Sequence, residues 1–154
     1  MMQIEQADLD DPEVLALLRT HVRLARAATA GIAHALDEVA LRAADIELWT
    51  IRDGNALLGV GALQALSPQH GEIKSMYAVA AARGRGVGSA MLGHIIAAAR
   101  ALGMLRVSLE TGSGDYFVAA RALYRRHGFS ECPPFADYVA DVNSVYMSLN
   151  LPRA

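Results

Sequence analysis

Apolar positions along the chain switch between two periods, and the switches mark out the elements. Gln3 to Ala7 reads as a short first strand with Ile4 and Ala7 inward. Asp11 then caps a helix that starts at Pro12, a position where the missing N–H does no harm. Val14, Leu15, Leu18, Val22 and Ala25 recur at helical spacing and form its apolar stripe. The pattern breaks around Thr29-Ala30-Gly31, and a second short helix is expected through Leu36, Val39, Ala40 and Ala43. From Ile46 the period becomes two. Ile46 to Arg52 is a strand, Asp53-Gly54-Asn55 a turn, and Ala56 to Leu66 the returning strand. Gly71 to Val79 is the third member of this meander. Gly59 and Gly61 inside the second member signal room for something large or a close backbone approach.

The helical period returns with Leu92, Ile95, Ile96, Ala99 and Leu102 on one side, and Gly103 stops that helix. Leu105 to Glu110 is a strand, Thr111 to Gly114 a turn, and Asp115 to His127 a helix with Val118, Ala122 and Leu123 inward. Phe129 to Cys132 and Ser144 to Leu151 are closing strands joined through Pro133-Pro134. The order β-α-α-β-β-β-α-β-α-β-β predicts a mixed α/β fold, one domain over residues 1–154, with no repeat and no linker.

Composition narrows the choice of chemistry. The chain carries 14 Lys and Arg against 16 Asp and Glu, a net charge of -2, which argues against a nucleic-acid binder. Basic residues instead cluster locally, at Arg83/Arg85 and at Arg121/Arg125/Arg126, which suits a small anion. The single cysteine, Cys132, cannot form an internal disulfide and reads as a half-buried strand residue. No Cys/His spacing suggests a metal. No basic segment precedes an apolar run at the N-terminus, and no apolar stretch approaches the roughly 18 residues of a membrane span. A cytoplasmic setting without membrane contact is the expectation.

The chemistry concentrates after Val79, in Arg83-Gly84-Arg85-Gly86-Val87-Gly88. A glycine loop that opens a helix presents unbonded N–H groups and a partial positive charge to an anion. Charge-assisted hydrogen bonds of about 1.5–3 kcal/mol each could hold a diphosphate there. The exposed guanidinium groups should add less, because water and salt screen them. A P-loop would need Gly-x-x-x-x-Gly-Lys-Ser/Thr, which is absent, and the Rossmann fingerprint would need glycine where Ser89 stands. By itself the loop is also compatible with a glycine-rich turn that holds no ligand.

Arg83-x-x-Gly86-x-Gly88, following Met76-Tyr77-Ala78-Val79, resembles the acetyl-CoA signature of the GNAT superfamily of N-acetyltransferases. Ala120-x-x-Leu123-Tyr124-x-x-x-Gly128-Phe129 is similar to the second segment of that family, at the family's usual separation. His34-Ala35-Leu36-Asp37, Gly71-Glu72-Ile73-Lys74-Ser75-Met76 and Leu109-Glu110-Thr111-Gly112-Ser113 look like a bacterial branch whose acceptors are poorly assigned.

The resemblance implies a GNAT-like fold and transfer of acetyl from acetyl-CoA, the acyl-donor cosubstrate, to a primary amine by direct attack in a ternary complex. It implies that the backbone of Tyr77 and Val79 pairs with the pantetheine arm. It further implies that N–H groups from Gly84 through Arg85, Gly86, Val87 and Gly88 to Ser89 hold the diphosphate, and that Tyr124 protonates the departing thiolate. A phenol near pKa 10 can donate at neutral pH. Phe117 stands where many relatives have Asn, so contact there would be apolar or through backbone. Ile73 stands at the expected place of a basic Glu. Glu72 is one step away and faces the other side unless a bulge intervenes; Glu110 competes for the role. His34, Asp37, Phe135, Asp137, Tyr138 and Asn143 fall in segments placed around the acceptor, and would suit a small-molecule or peptide amine. A non-catalytic CoA-binding or sensing module is the rival reading. Ser144-Val145-Tyr146-Met147 could support a homodimer.

Overall fold

A computed structural model describes residues 1–29 and 38–153. His34, Leu36 and Asp37 lie outside the described residues, and the remainder of the expected second helix, residues 38–43, is a turn and a single 3₁₀ turn with no α-helix. The elements are β1 (Met2–Gln6), α1 (Pro12–Ala28), β2 (Ile46–Asp53), β3 (Ala56–Ser67), β4 (His70–Ala78), α2 (Val87–Ala101), β5 (Arg106–Gly112), α3 (Val118–Arg126), β6 (Ser130–Glu131) and β7 (Ser144–Asn150). Short 3₁₀ turns occupy Ala40–Arg42, Ala80–Ala82 and Asp115–Phe117. The strands form one mixed sheet in the order β1-β2-β3-β4-β5-β7-β6. Each pair is antiparallel except β4 with β5.

Helix α1 begins as its sequence dictates. Asp11 accepts the N–H of Glu13, and Pro12 follows it. Its buried side chains Val14, Leu17 and Leu18 pack with Leu41, Leu48, Val60 and Ala62 on one face of the sheet. On the other face α2 buries Met91, Leu92, Ile95 and Ala99 against Ile51, Leu63, Ile73, Val107 and Leu109. Burying each such side chain contributes about 1.5–3 kcal/mol. Helix α2 can come this close because Gly61 has no Cβ, which would meet Met91 Cγ at 2.7 Å and Ile95 Cδ1 at 2.9 Å. The gap at Gly61 is thus a close approach of helix to strand.

Several expected inward positions lie elsewhere. Leu102 is 58% exposed and Val118 is 52% exposed, each at the end of its helix, where the apolar stripe runs off the sheet. Val39 is 76% exposed, and Leu41 in the Ala40–Arg42 turn is the residue that reaches the core. The expected single helix from Asp115 to His127 is a 3₁₀ turn followed by α3.

Two irregularities position the site. Strands β4 and β5 pair only from His70↔Arg106 to Ile73↔Leu109, although β4 runs on to Ala78 and β5 to Gly112. Beyond Leu109 the two strands part and leave a wedge. In β4, Ser75 sits at φ 56°, and Lys74 pairs with Ala62 while Tyr77 pairs with Val60. Ser75 and Met76 therefore oppose the single Gly61, which is a β-bulge. The extra residue changes parity, so Glu72, Lys74 and Tyr77 share one face of the sheet.

Candidate active site

The wedge between β4 and β5 opens into a cleft of about 580 Å³. Its wall at one end is the loop and first turn of α2: Arg83, Gly84, Gly86, Val87, Gly88 and Ser89. Gly84 and Gly86 have φ of +82° and +79°, a left-handed backbone that side chains disfavour. Gly86 is the N-cap of α2 and has no side chain to cap the helix. The N–H groups of Val87, Gly88 and Ser89 thus begin the helix without partners one turn back, which suits an anion. Val87's side chain is buried, so its share in this end is backbone. Ser89 Oγ lies 3.3 Å from His127 Nε2.

Arg85 takes no part in that wall. Its guanidinium donates to Asp53 Oδ2 at 2.8 Å, on the turn between β2 and β3. The backbone expectation for Val79 also needs correction. Val79 donates its N–H to the Leu58 carbonyl at 2.9 Å, and its own carbonyl accepts from Ala82. Ladder alternation directs the backbone groups of Tyr77 toward β3 as well, and turns those of Met76 and Ala78 toward the wedge. The Tyr77 side chain does line the cleft, stacked on His21 with ring centroids 5.4 Å apart. Burial pushes the His21 imidazole down to about 4, so it is neutral at ordinary pH.

Tyr124 projects from α3 into the middle of the cleft and packs edge-on against Phe129. Burial, and then the charge of Glu110, pushes its phenol above the ordinary value. Tyr124 therefore remains a donor at working pH. Phe117 lies over Gly112, where any Cβ would collide with its ring, and it forms an apolar stretch of the wall. Glu110 accepts from Ser144 Oγ at 2.7 Å.

The opposite end is built from side chains. Glu72 is only 3% exposed, and its Oε2 is 2.9 Å from Lys74 Nζ. The same oxygen accepts the Tyr138 hydroxyl at 2.5 Å, and Lys74 also donates to that hydroxyl oxygen at 3.3 Å. Tyr138 comes from the segment between β6 and β7. Its N–H bonds the Phe135 carbonyl across a tight turn, with Ala136 at φ 50°. Phe135 and Tyr146 clasp the Tyr138 ring at centroid distances of 5.1 and 5.5 Å. Burial first, then its bond to Glu72, pushes the Tyr138 phenol above its ordinary value.

Among the residues expected around an acceptor, Tyr138 and Asn143 line this end. Phe135 is 8% exposed and supports Tyr138 from behind, and Asp137 is exposed and does not line the cleft. Lys74 was not singled out from sequence. Its spacing of two from Glu72 within a strand was the available signal, since it puts both on one face.

A family model described as the acetyltransferase (GNAT) family matches residues 15–129. The chain belongs to the GNAT family. Two bacterial relatives cover nearly its whole length. One is YedL of Escherichia coli strain K12, an uncharacterized N-acetyltransferase that is 40% identical over 98% of this chain and 96% of its own. The other is YsnE of Bacillus subtilis strain 168, likewise an uncharacterized N-acetyltransferase, 42% identical over 97% of this chain and 100% of its own. A GNAT acetyltransferase from Elizabethkingia anophelis, solved with acetyl-CoA bound, shares the fold with a TM-score of 0.72. It is 16% identical and covers 97% of this chain and 98% of its own. This GNAT protein is therefore an N-acetyltransferase with the mixed α/β fold of its family.

Proposed function

We propose that the cleft takes acetyl-CoA as donor and transfers its acetyl group to a primary amine of a small molecule or peptide, by direct attack within a ternary complex. The observation that carries this reading is the parting of β4 and β5 between a helix N-terminus and a buried tyrosine. The N–H groups of Gly84, Gly86, Val87, Gly88 and Ser89 would hold the diphosphate, with Arg83 beside them. The open edge at Met76 and Ala78 would pair with the pantetheine amides as an added strand. Phe117 would cover the arm on its apolar side.

The chemistry needs a neutral amine and a stabilised leaving sulfur. Tyr124 would donate a hydrogen bond to the sulfur as charge develops, and its proton would follow. Glu72 is favoured over Glu110 as the final proton acceptor, because the Tyr138 hydroxyl, which lines the cleft, donates to its carboxylate. Glu110 instead bonds Ser144 and raises the phenol of Tyr124, a role in holding that proton until it is needed.

A thiol-release screen tests this. Acetyl-CoA is offered with amino acids, polyamines, aminoglycosides and peptide N-termini in turn. At least one amine class should release free CoA, and Tyr124→Phe should lower that turnover by about 100-fold while still binding acetyl-CoA. Binding without turnover on every amine, in both forms, would instead identify a CoA-sensing module.

A further inference from the structure

Glu72 lines the cleft but offers an acceptor very little of its surface. Its side chain is 4% exposed, with Lys74 and the Tyr138 hydroxyl both on Oε2. Lys74 and Tyr138 both line the cleft and donate to the carboxylate, but only the Tyr138 hydroxyl can also accept a proton, since an ammonium has no lone pair. We propose that Tyr138 relays the acceptor's proton: its hydroxyl oxygen takes a proton from the acceptor ammonium while its own proton passes to Glu72 Oε2. This deepens the proposed function and rests on it.

The step balances without another reactant. One ammonium N–H bond breaks and a Tyr138 O–H bond forms; the former O–H bond breaks and a Glu72 carboxyl O–H forms. The products are a neutral amine and a neutral carboxylic acid, and the phenol is unchanged. No phenolate is formed, which matters because the groups around the ring disfavour one. Glu72 faces it from β4, Glu110 from β5 and Tyr146 from β7, and all three raise its proton affinity. A phenol that resists ionising can still pass a proton when one arrives as another leaves.

Lys74 acts as a positioning residue in two ways. It holds the Glu72 carboxylate and the Tyr138 oxygen together, at 2.9 and 3.3 Å. Its ammonium also lies 5.8 Å from the centre of the Tyr138 ring, a cation–π contact that helps to fix the ring. The ring is held by Phe135, Tyr146 and the turn at Ala136, so the hydroxyl is set in place before an acceptor arrives.

The test uses two small amines, ethylamine, which is a cation at pH 7, and methoxyamine, which is already neutral there. Tyr138→Phe should lower kcat/KM for ethylamine by about 100-fold, the usual size of a proton-transfer contribution. It should change the value for methoxyamine by less than about threefold, and leave acetyl-CoA affinity, read by calorimetry, within about twofold. With ethylamine the variant's rate should climb about tenfold per pH unit toward the amine's own pKa of about 10. Adding Glu72→Gln should cost little more, because the two residues act as one unit. Equal losses on both amines, or no loss on either, would overturn the relay and leave acetyl transfer standing. A native protein that acetylates neither amine but releases thiol with another amine class would overturn the relay as a device for simple amines and leave acetyl transfer standing; no release with any amine would overturn both.

Discussion

The two ends of the cleft are made of different material. The loop end is backbone: two left-handed glycines and the first turn of α2, with little help from side chains. The other end is side chain: Glu72, Lys74, Tyr138 and Ser144, drawn from two strands and a connecting segment, with Glu110 from a third strand. A backbone site depends on residue type at fixed spacing, so substitutions there act through conformation. A side-chain site depends on register and mutual charge, so substitutions there act through what each group leaves unpaired.

Lys74→Met should separate these most strongly. It leaves the Glu72 carboxylate buried without its cation, a change that costs about 3–5 kcal/mol, seen as a lower midpoint in urea. Replacing Glu72 and Lys74 together by Leu and Met should recover much of that loss, since both charges go. At the loop end, Gly86→Val forces a β-branched residue into φ +79° at the cap of α2. Acetyl-CoA affinity should fall by about 100-fold, or about 2.7 kcal/mol, when titrated by calorimetry. Arg85→Ala, which removes only the contact to Asp53, should change it less than about threefold.

A further effect, on stability and not on binding, lies at His21, which lines the cleft against Tyr77. Its folded pKa is lowered from 6.5 to about 4, so the unfolded chain binds the proton more readily. Stability is then complete above pH 6.5 and declines as pH falls toward 4, by about 2–3 kcal/mol. His21→Gln should flatten that part of a plot of stability against pH; an unchanged slope would assign the decline to other groups.

The same contrast explains what could be read from the sequence. The loop was legible because Arg83-x-x-Gly86-x-Gly88 is local and opens a helix with clear periodicity. Most strands were legible for the same reason, with limits within a residue or two for Ile46–Asp53 and Ala56–Ser67. The acceptor end was not, because one residue of bulge at Ser75 reverses which side chains share a face. The resemblance implied an open backbone edge at Tyr77 and Val79, whereas the ladder with β3 occupies those groups and leaves Met76 and Ala78 facing the wedge. A serine in a left-handed conformation has no signature in the chain, unlike the glycines at 84 and 86. Phe135 and Asp137 were chosen by segment alone, and only the turn at Ala136 decides that Tyr138 reaches the cleft while Phe135 backs it.

Calorimetric titration of the native protein with acetyl-CoA tests the central claim most directly. One-to-one binding at submillimolar cofactor, not displaced by equimolar ATP, is the result this account predicts. No heat of binding at millimolar acetyl-CoA, or a preference for ATP, would contradict it.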